Sequence, residues 1–102
     1  MPAPSTRRAL PLQEAIEQAP TLARLAAAAS QSRARLQVVR NIAPPALAAG
    51  LQAGAWENGD WTLLAPGSAA AAKLRQLLPQ ITQALTRAGL PAQSVRVKVM
   101  RP

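Results

Sequence analysis

Four residue types are absent from this sequence: cysteine, histidine, tyrosine and phenylalanine. The absence of cysteine excludes disulfides, thiolate catalysis and cysteine-ligated metals, and it fits a reducing cytosol. Without histidine, and with four Asp and Glu residues at no recognisable catalytic or ligand spacing, the chain offers no general base or metal cluster. We therefore expect no enzymatic activity, no cofactor, no metal and no small-molecule substrate.

Long apolar runs and export signals are also lacking. No segment approaches the ~18 apolar residues that suggest a membrane span. Arg7-Arg8 precedes a segment that Glu14 and Glu17 interrupt, which argues against a signal peptide and a twin-arginine signal. We expect no membrane partner and a cytoplasmic location.

Acidic residues are scarce relative to basic ones. Twelve Lys and Arg against four Asp and Glu give a formal charge of +8 in 102 residues. This surplus predicts a polyanionic partner, either nucleic acid or an acidic protein surface. The length suits one domain, and we expect residues 1–9 to be a disordered terminus and residues 10–102 to form that domain.

Asn58-Gly59 is the strongest turn signal in the chain. It lies between two strand-like runs and predicts a β-hairpin with a type I′ turn. The implied register places Glu57 opposite Asp60 and Trp56 opposite Trp61, so that the only two aromatic residues touch.

The tryptophan pair has two interpretations. It either fills the core beneath the helices or lies on the open sheet face beside Arg96 and Lys98, where it would stack on bases. Strict alternation predicts one strand face with Gly54, Trp56, Trp61, Leu63 and Ala65, and another with Leu51, Ala53, Ala55, Thr62 and Leu64. Both faces are apolar enough to be buried, so alternation alone does not choose between the interpretations.

Helical spacing predicts three main helices. The first spans Leu10 to Gln18, and the second spans Thr21 to Asn41 with Thr21 as its N-cap. Pro44-Pro45 ends the second helix, and one or two helical turns follow it. A third helix begins after Gly67-Ser68, and Pro79 is expected to kink or divide it. The second helix has its apolar positions at Leu22, Leu25, Ala29, Leu36 and Val39, with Ser32 in the missing place.

The segment Ser94 to Met100 alternates valine with basic residues, which predicts a half-buried strand with a basic outer face. The element order is then α-α-β-β-α-β. It predicts an α+β fold whose three-stranded sheet carries its helices on one face. The candidate nucleic-acid contacts are the basic residues of these elements: Arg24, Arg33, Arg35, Arg40, Lys73, Arg75, Arg96, Lys98 and Arg101.

Three segments together carry a resemblance to a known family. They read LARLAAAASQSRARLQVV, ENGDWTLLAPGSAAAAKLRQLLPQITQAL and AGLPAQSVRVKV, and they resemble the DciA family of bacterial replicative-helicase operators. The resemblance implies a KH-like domain that binds DNA, helps load the DnaB-type helicase and works at the nucleoid or replisome. The chain lacks the GxxG loop of true KH domains, so binding would use surface arginines.

Two differences from the family pattern matter. Members often have aliphatic residues where this chain has Trp56 and Trp61, which favours the core interpretation of the pair. Many members also continue into a flexible basic tail, whereas this sequence ends at Pro102. This ending predicts a reduced form of the loader.

These observations lead to one principal hypothesis. The protein is expected to be a non-enzymatic adaptor that binds single-stranded or forked DNA and the replicative helicase. One alternative is a KH-like RNA-binding or ribosome-associated protein. The other is a pure protein-interaction module whose charge meets an acidic partner.

Overall fold

Helices and strands follow one another in the order α-α-β-β-α-β in the computed structural model, which describes residues 20–100. This order and the α+β class confirm the predicted fold class. The predicted disordered terminus, the predicted helix Leu10–Gln18 and the candidate residue Arg101 lie outside the described residues. The elements are α1 (Pro20–Ile42), α2 (Pro45–Ala48), β1 (Gln52–Glu57), β2 (Asp60–Ala65), α3 (Ser68–Arg87) and β3 (Ser94–Val99).

The three strands form one open sheet in the order β1-β2-β3. β1 and β2 are antiparallel, as a hairpin requires, and β2 and β3 are parallel. The parallel pair needs a crossover, which α3 provides. Because α1 contacts β1 while α3 contacts β2 and β3, the helices cover one face of the sheet and leave the other open.

The hairpin turn has the predicted geometry. Asn58 and Gly59 both have positive φ, 53° and 87°, as a type I′ turn needs at its two central positions. The register pairs Glu57 with Asp60 and Trp56 with Trp61, which confirms the predicted pairing. The Gly59 carbonyl also accepts a hydrogen bond of 2.7 Å from the Gln93 backbone N–H, so the turn holds the loop that leads into β3.

A β-bulge interrupts β1 and corrects the predicted strand faces. Ala53 pairs with Leu63, but the next pair is Trp56 with Trp61, so two β1 residues lie opposite Thr62. Ala53 therefore lies on the same face as Leu63, and the prediction that placed it on the opposite face was wrong. The extra residue shifts the alternation by one position. Glycine suits the bulge because a Cβ on Gly54 would lie 2.7 Å from the Thr62 carbonyl oxygen.

The core lies between the helices and the sheet. Trp61 is fully buried and Trp56 is half-buried against the same cluster, which confirms the core interpretation of the tryptophan pair. The base-stacking interpretation was wrong, because neither of the two aromatic residues lies on the open face. The other large, fully buried side chains are Leu51, Leu63, Leu74, Ile81, Leu85 and Val39.

Only the C-terminal half of α1 packs on the sheet. Leu36 and Val39 of the predicted apolar stripe are buried, but Leu22 is 77% exposed and Leu25 is 60% exposed. The stripe is not covered along its whole length, because the helix extends past the hairpin and no other described element covers this end. Thr21 is itself helical, so it is not the N-cap, a position that needs non-helical φ and ψ.

The helix α3 runs unbroken from Ser68 to Arg87 with Pro79 inside it. Of the two predicted effects of Pro79, division of the helix was wrong, and a kink stays a prediction. Pro79 is exposed, so water can satisfy the Arg75 carbonyl that loses its helical donor. At the C-terminal end, Gly89 has a φ of 76° and the Leu90 N–H donates to the Leu85 carbonyl, which is a Schellman ending.

Ser32 connects α1 to the bulge. Its hydroxyl donates to the Gly54 carbonyl at 2.7 Å and accepts from the Trp61 indole Nε1–H at 2.8 Å. Ser32 is 1% exposed, so each of these polar atoms depends on a protein partner. The serine that interrupts the apolar stripe is thus a buried hydrogen-bonding link.

Candidate nucleic-acid interface

The open face of the sheet carries two neighbouring basic side chains. In the parallel register, Arg96 lies beside Thr62 and Lys98 lies beside Leu64. Residues two apart on a strand point to the same side, so Arg96 and Lys98 project away from the core, whereas Val97 between them is buried. Both basic residues are exposed, and Thr62 and Leu64 are half-buried. The result is an open face with two exposed cations in a row.

Arg75 adds a third cation at the free edge of β3. Its guanidinium donates to the Val97 carbonyl at 3.1 Å, and Val97 is the residue between Arg96 and Lys98. The hydrogen bond caps a carbonyl that β2 does not use, because β3 is an edge strand. The structure therefore brings together Arg75, Arg96 and Lys98, which we call the β3 cluster.

The acidic residues of the sheet lie near the turn. Glu57 and Asp60 flank the hairpin turn, and the Asp60 carboxylate accepts a hydrogen bond of 2.8 Å from the Ser94 hydroxyl. Arg96 and Lys98 lie two and four residues further along β3 from Ser94. Asp60 therefore makes the turn end of the open face acidic, and Arg96 and Lys98 make the opposite end basic.

Arg35 is a basic residue of a different kind, because its side chain is buried. It is 4% exposed, and its guanidinium carbon lies 3.7 Å from the centre of the Trp56 ring, which is a cation–π contact. It donates to the Gln31 carbonyl, the Gln31 amide oxygen and the Pro91 carbonyl, at 3.0, 2.7 and 2.8 Å. Burial lowers the pKa of the guanidinium below its ordinary value.

Arg35 therefore connects three elements: α1, the hairpin through Trp56, and the loop before β3 through Pro91. Its hydrogen-bond acceptors are neutral oxygens, and its Nε atom is buried without a partner. A side chain this enclosed is not free to contact a phosphate, so we leave Arg35 out of the interface. Sequence reasoning missed the burial, although Ser32, Leu36 and Val39 surround Arg35 at core spacing on the helix.

The remaining candidate residues do not join the β3 cluster. Arg24 and Arg33 are exposed on opposite sides of α1, because nine residues correspond to two and a half helical turns. Arg40 donates to the Leu51 carbonyl at 3.0 Å. Lys73 is exposed on the flank of α3 that also carries Arg87. These four residues remain predicted contacts, as does Arg101 outside the described residues.

Two further classes of site are absent from residues 20–100. No group of three or more His, Cys, Asp or Glu side chains in this range could hold a metal ion. None of the helices in the same range is both long enough and apolar enough to cross a bilayer.

Together these features define a class of protein: a small α+β domain with helices on one face of a three-stranded sheet and basic residues on the other. The family model described as "Dna[CI] antecedent, DciA" matches residues 11–97. The chain belongs to the DciA family, as the sequence resemblance predicted. The element order is compatible with a KH-like domain. A comparison with curated proteins gives no match.

Membership in this family implies a role in loading the replicative helicase and an interaction with that helicase. The family is one of loaders and adaptors and is not a known catalytic family.

Proposed function

We propose that this protein is a non-enzymatic adaptor that binds single-stranded or forked DNA on the open sheet face and docks on a DnaB-type helicase. The β3 cluster of Arg75, Arg96 and Lys98 is the observation that supports the proposed DNA binding. Arg96 and Lys98 are exposed on one face of one strand, and Arg75 lies at the adjacent edge. A row of cations spaced along an extended strand suits the repeated charges of a phosphate backbone.

The side chains around the cluster indicate which part of the DNA would be contacted. The open face has no aromatic ring, since Trp56 and Trp61 belong to the helix-covered side. Base stacking on aromatic side chains, the usual source of affinity in single-strand binders, is therefore not available there. We expect binding through phosphates, with little preference for base sequence.

The proposed mechanism is an increase in local concentration. A domain that holds DNA on one surface and the helicase on another brings the two together without hydrolysing nucleotide. This work would take place at the nucleoid or replisome. The two activities need separate surfaces, since one protein must hold both partners at once.

The test is a fluorescence anisotropy titration of a labelled single strand, a forked duplex and an RNA strand of the same sequence, repeated over a range of salt concentrations. If three cations contact phosphates, the log–log slope of the association constant for the single strand is about −2, at ~0.7 per phosphate contact. A slope near zero would contradict the proposed binding of DNA. Markedly tighter RNA binding would instead favour the RNA-binding alternative.

A pull-down with and without nuclease distinguishes the DNA-binding adaptor from the pure protein-interaction module. An adaptor that binds DNA and helicase directly retains the helicase after digestion and also binds purified DNA. Retention of an acidic partner with no affinity for purified DNA would leave only the protein-interaction module.

A further inference from the structure

A groove lies between the exposed N-terminal half of α1 and the hairpin, on the helix-covered side of the sheet. It has a volume of about 700 Å³, and its lining includes Arg24, Leu25, Ala28, Gln31 and Trp56. The β3 cluster contributes nothing to it. The groove is thus a second surface, distinct from the proposed DNA-binding face.

The groove has an apolar wall that no described element covers. Leu25 lines it and is 60% exposed, and Leu22, one helical turn earlier, is 77% exposed. Trp56 forms part of the opposite side and is half-buried. An exposed leucine in a groove beside a half-buried tryptophan marks an interaction surface for another apolar group. The Arg35 guanidinium already covers one face of the Trp56 ring, and Leu25 adds nothing to phosphate binding, so the groove favours a protein partner.

The groove also has an excess of positive charge on its α1 side. Arg24 lines it directly. Arg35 lies behind its wall, because it donates to Gln31 and stacks on Trp56, and both of these residues line the groove. The buried Arg35 charge has only neutral acceptors. Glu57, the acidic residue of the lining, lies at the hairpin end.

From this combination we infer that the groove is the docking site for the replicative helicase, and that it takes a helicase segment carrying aliphatic side chains and at least one carboxylate. The aliphatic side chains pack on Leu25 and Trp56, and the carboxylate pairs with Arg24 in the field of Arg35. The inference rests on the proposed function, which supplies the partner. The inference adds to that function the surface on which the helicase docks and the chemistry of the helicase segment bound there.

The test measures binding of the full chain to the purified replicative helicase of the same genome by isothermal titration calorimetry. The groove variants are Leu25→Ser and Arg24→Glu. Matched controls are Ile42→Ser, which changes another exposed aliphatic residue of α1 (43% exposed), and Arg87→Glu, which makes the same charge reversal on α3. Because all four side chains are exposed, we expect each variant to fold, and circular dichroism checks this.

We expect each groove variant to weaken helicase binding about tenfold, as truncation of a contact residue at the centre of an interface does. The controls stay within about twofold of the wild type. Leu25→Ser leaves DNA affinity unchanged, because the proposed DNA contacts lie on the other face of the sheet. This separation of the two affinities supports the docking site.

Several results would overturn the inference. If the wild type binds helicase and the groove variants bind equally well, the helicase docks elsewhere and the proposed function stands. If the wild type does not bind helicase, the proposed function is contradicted, and the docking site is contradicted with it. If the wild type is a dimer by analytical ultracentrifugation and Leu25→Ser converts it to a monomer, the groove is a contact between two copies of the chain. If Leu12→Ser shifts the Trp56 indole resonance of the free protein, the chain's own N-terminal segment occupies the groove.

Discussion

Arg35 and Arg96 lie on opposite sides of the same three-stranded sheet, and their surroundings differ in almost every respect. Arg35 is 4% exposed, stacks on Trp56 and donates three hydrogen bonds to fixed protein oxygens. Arg96 is exposed beside Lys98 on the open face. Both residues count equally in the net charge of +8, yet of the two only the Arg96 side chain is exposed to solvent.

The net charge of a chain indicates the kind of partner but does not indicate which basic residues bind it. The surplus predicts an acidic partner, but burial decides which cations are free to bind it. On the helix-covered face, polar groups hold α1, the hairpin and the loop before β3 together. On the open face, polar groups remain available. Substitutions on the covered face should therefore lower stability, and substitutions on the open face should lower DNA affinity.

The largest expected effect is on the covered face, at Ser32. Ser32→Ala removes the acceptor of the buried Trp61 indole N–H and the donor to the Gly54 carbonyl. Leaving these groups unsatisfied should lower the free energy of unfolding by about 2 kcal/mol. Urea denaturation followed by tryptophan fluorescence measures this change.

Ser30→Ala is the matched control, since Ser30 is an exposed serine of the same helix. It should leave stability unchanged or raise it by a few tenths of a kcal/mol, roughly the gain in helix propensity from serine to alanine. Equal stability of the two variants would show that the Ser32 link contributes nothing.

A smaller effect is expected at Arg35. Arg35→Met keeps a long apolar stem but removes the hydrogen bonds to Gln31 and Pro91 and the stacking on Trp56. Relief of the desolvation cost of the charge offsets part of this loss. We expect the free energy of unfolding to fall by about 1 to 2 kcal/mol. DNA affinity of the folded variant should not change, and anisotropy checks this.

Arg33→Met supplies the comparison for Arg35 in the stability measurement. Arg33 is exposed two residues earlier on the same helix, so its replacement should change stability by less than about 0.5 kcal/mol. If Arg35→Met left stability intact and abolished DNA binding, the assignment of Arg35 to the interior would be contradicted.

Local sequence signals predicted the elements of the fold well. Asn58-Gly59 specified the turn and its register because few residues other than Asn and Gly adopt positive φ readily. The alternation of valine with Arg96 and Lys98 gave β3 and the direction of its basic side chains. These signals depend on neighbouring residues alone, so the sequence contains them in full.

The features that sequence reasoning missed depend on contacts between distant segments. The bulge at Gly54 shifts Ala53 to the buried face, and a glycine within a strand was the available signal for it. Leu25 and Leu36 lie on the same apolar stripe of α1. Only Leu36 packs on the sheet, because the hairpin is shorter than the helix. Arg35 sits among core positions, but one of the acceptors that hold its buried guanidinium is the carbonyl oxygen of Pro91, 56 residues away along the chain.

The central claim is that the open face, and not positive charge in general, binds DNA. The most direct measurement compares two double variants that each remove two charges: Arg96→Gln with Lys98→Gln, and Lys73→Gln with Arg87→Gln on the flank of α3. The salt dependence of single-strand binding is measured for both. The open-face double variant should make the log–log slope shallower by ~1.4, the equivalent of two phosphate contacts, and leave stability unchanged. The α3 double variant should change the slope by at most ~0.7, because Lys73 is the one predicted contact of its two residues. Equal changes in slope for the two double variants would contradict the claim.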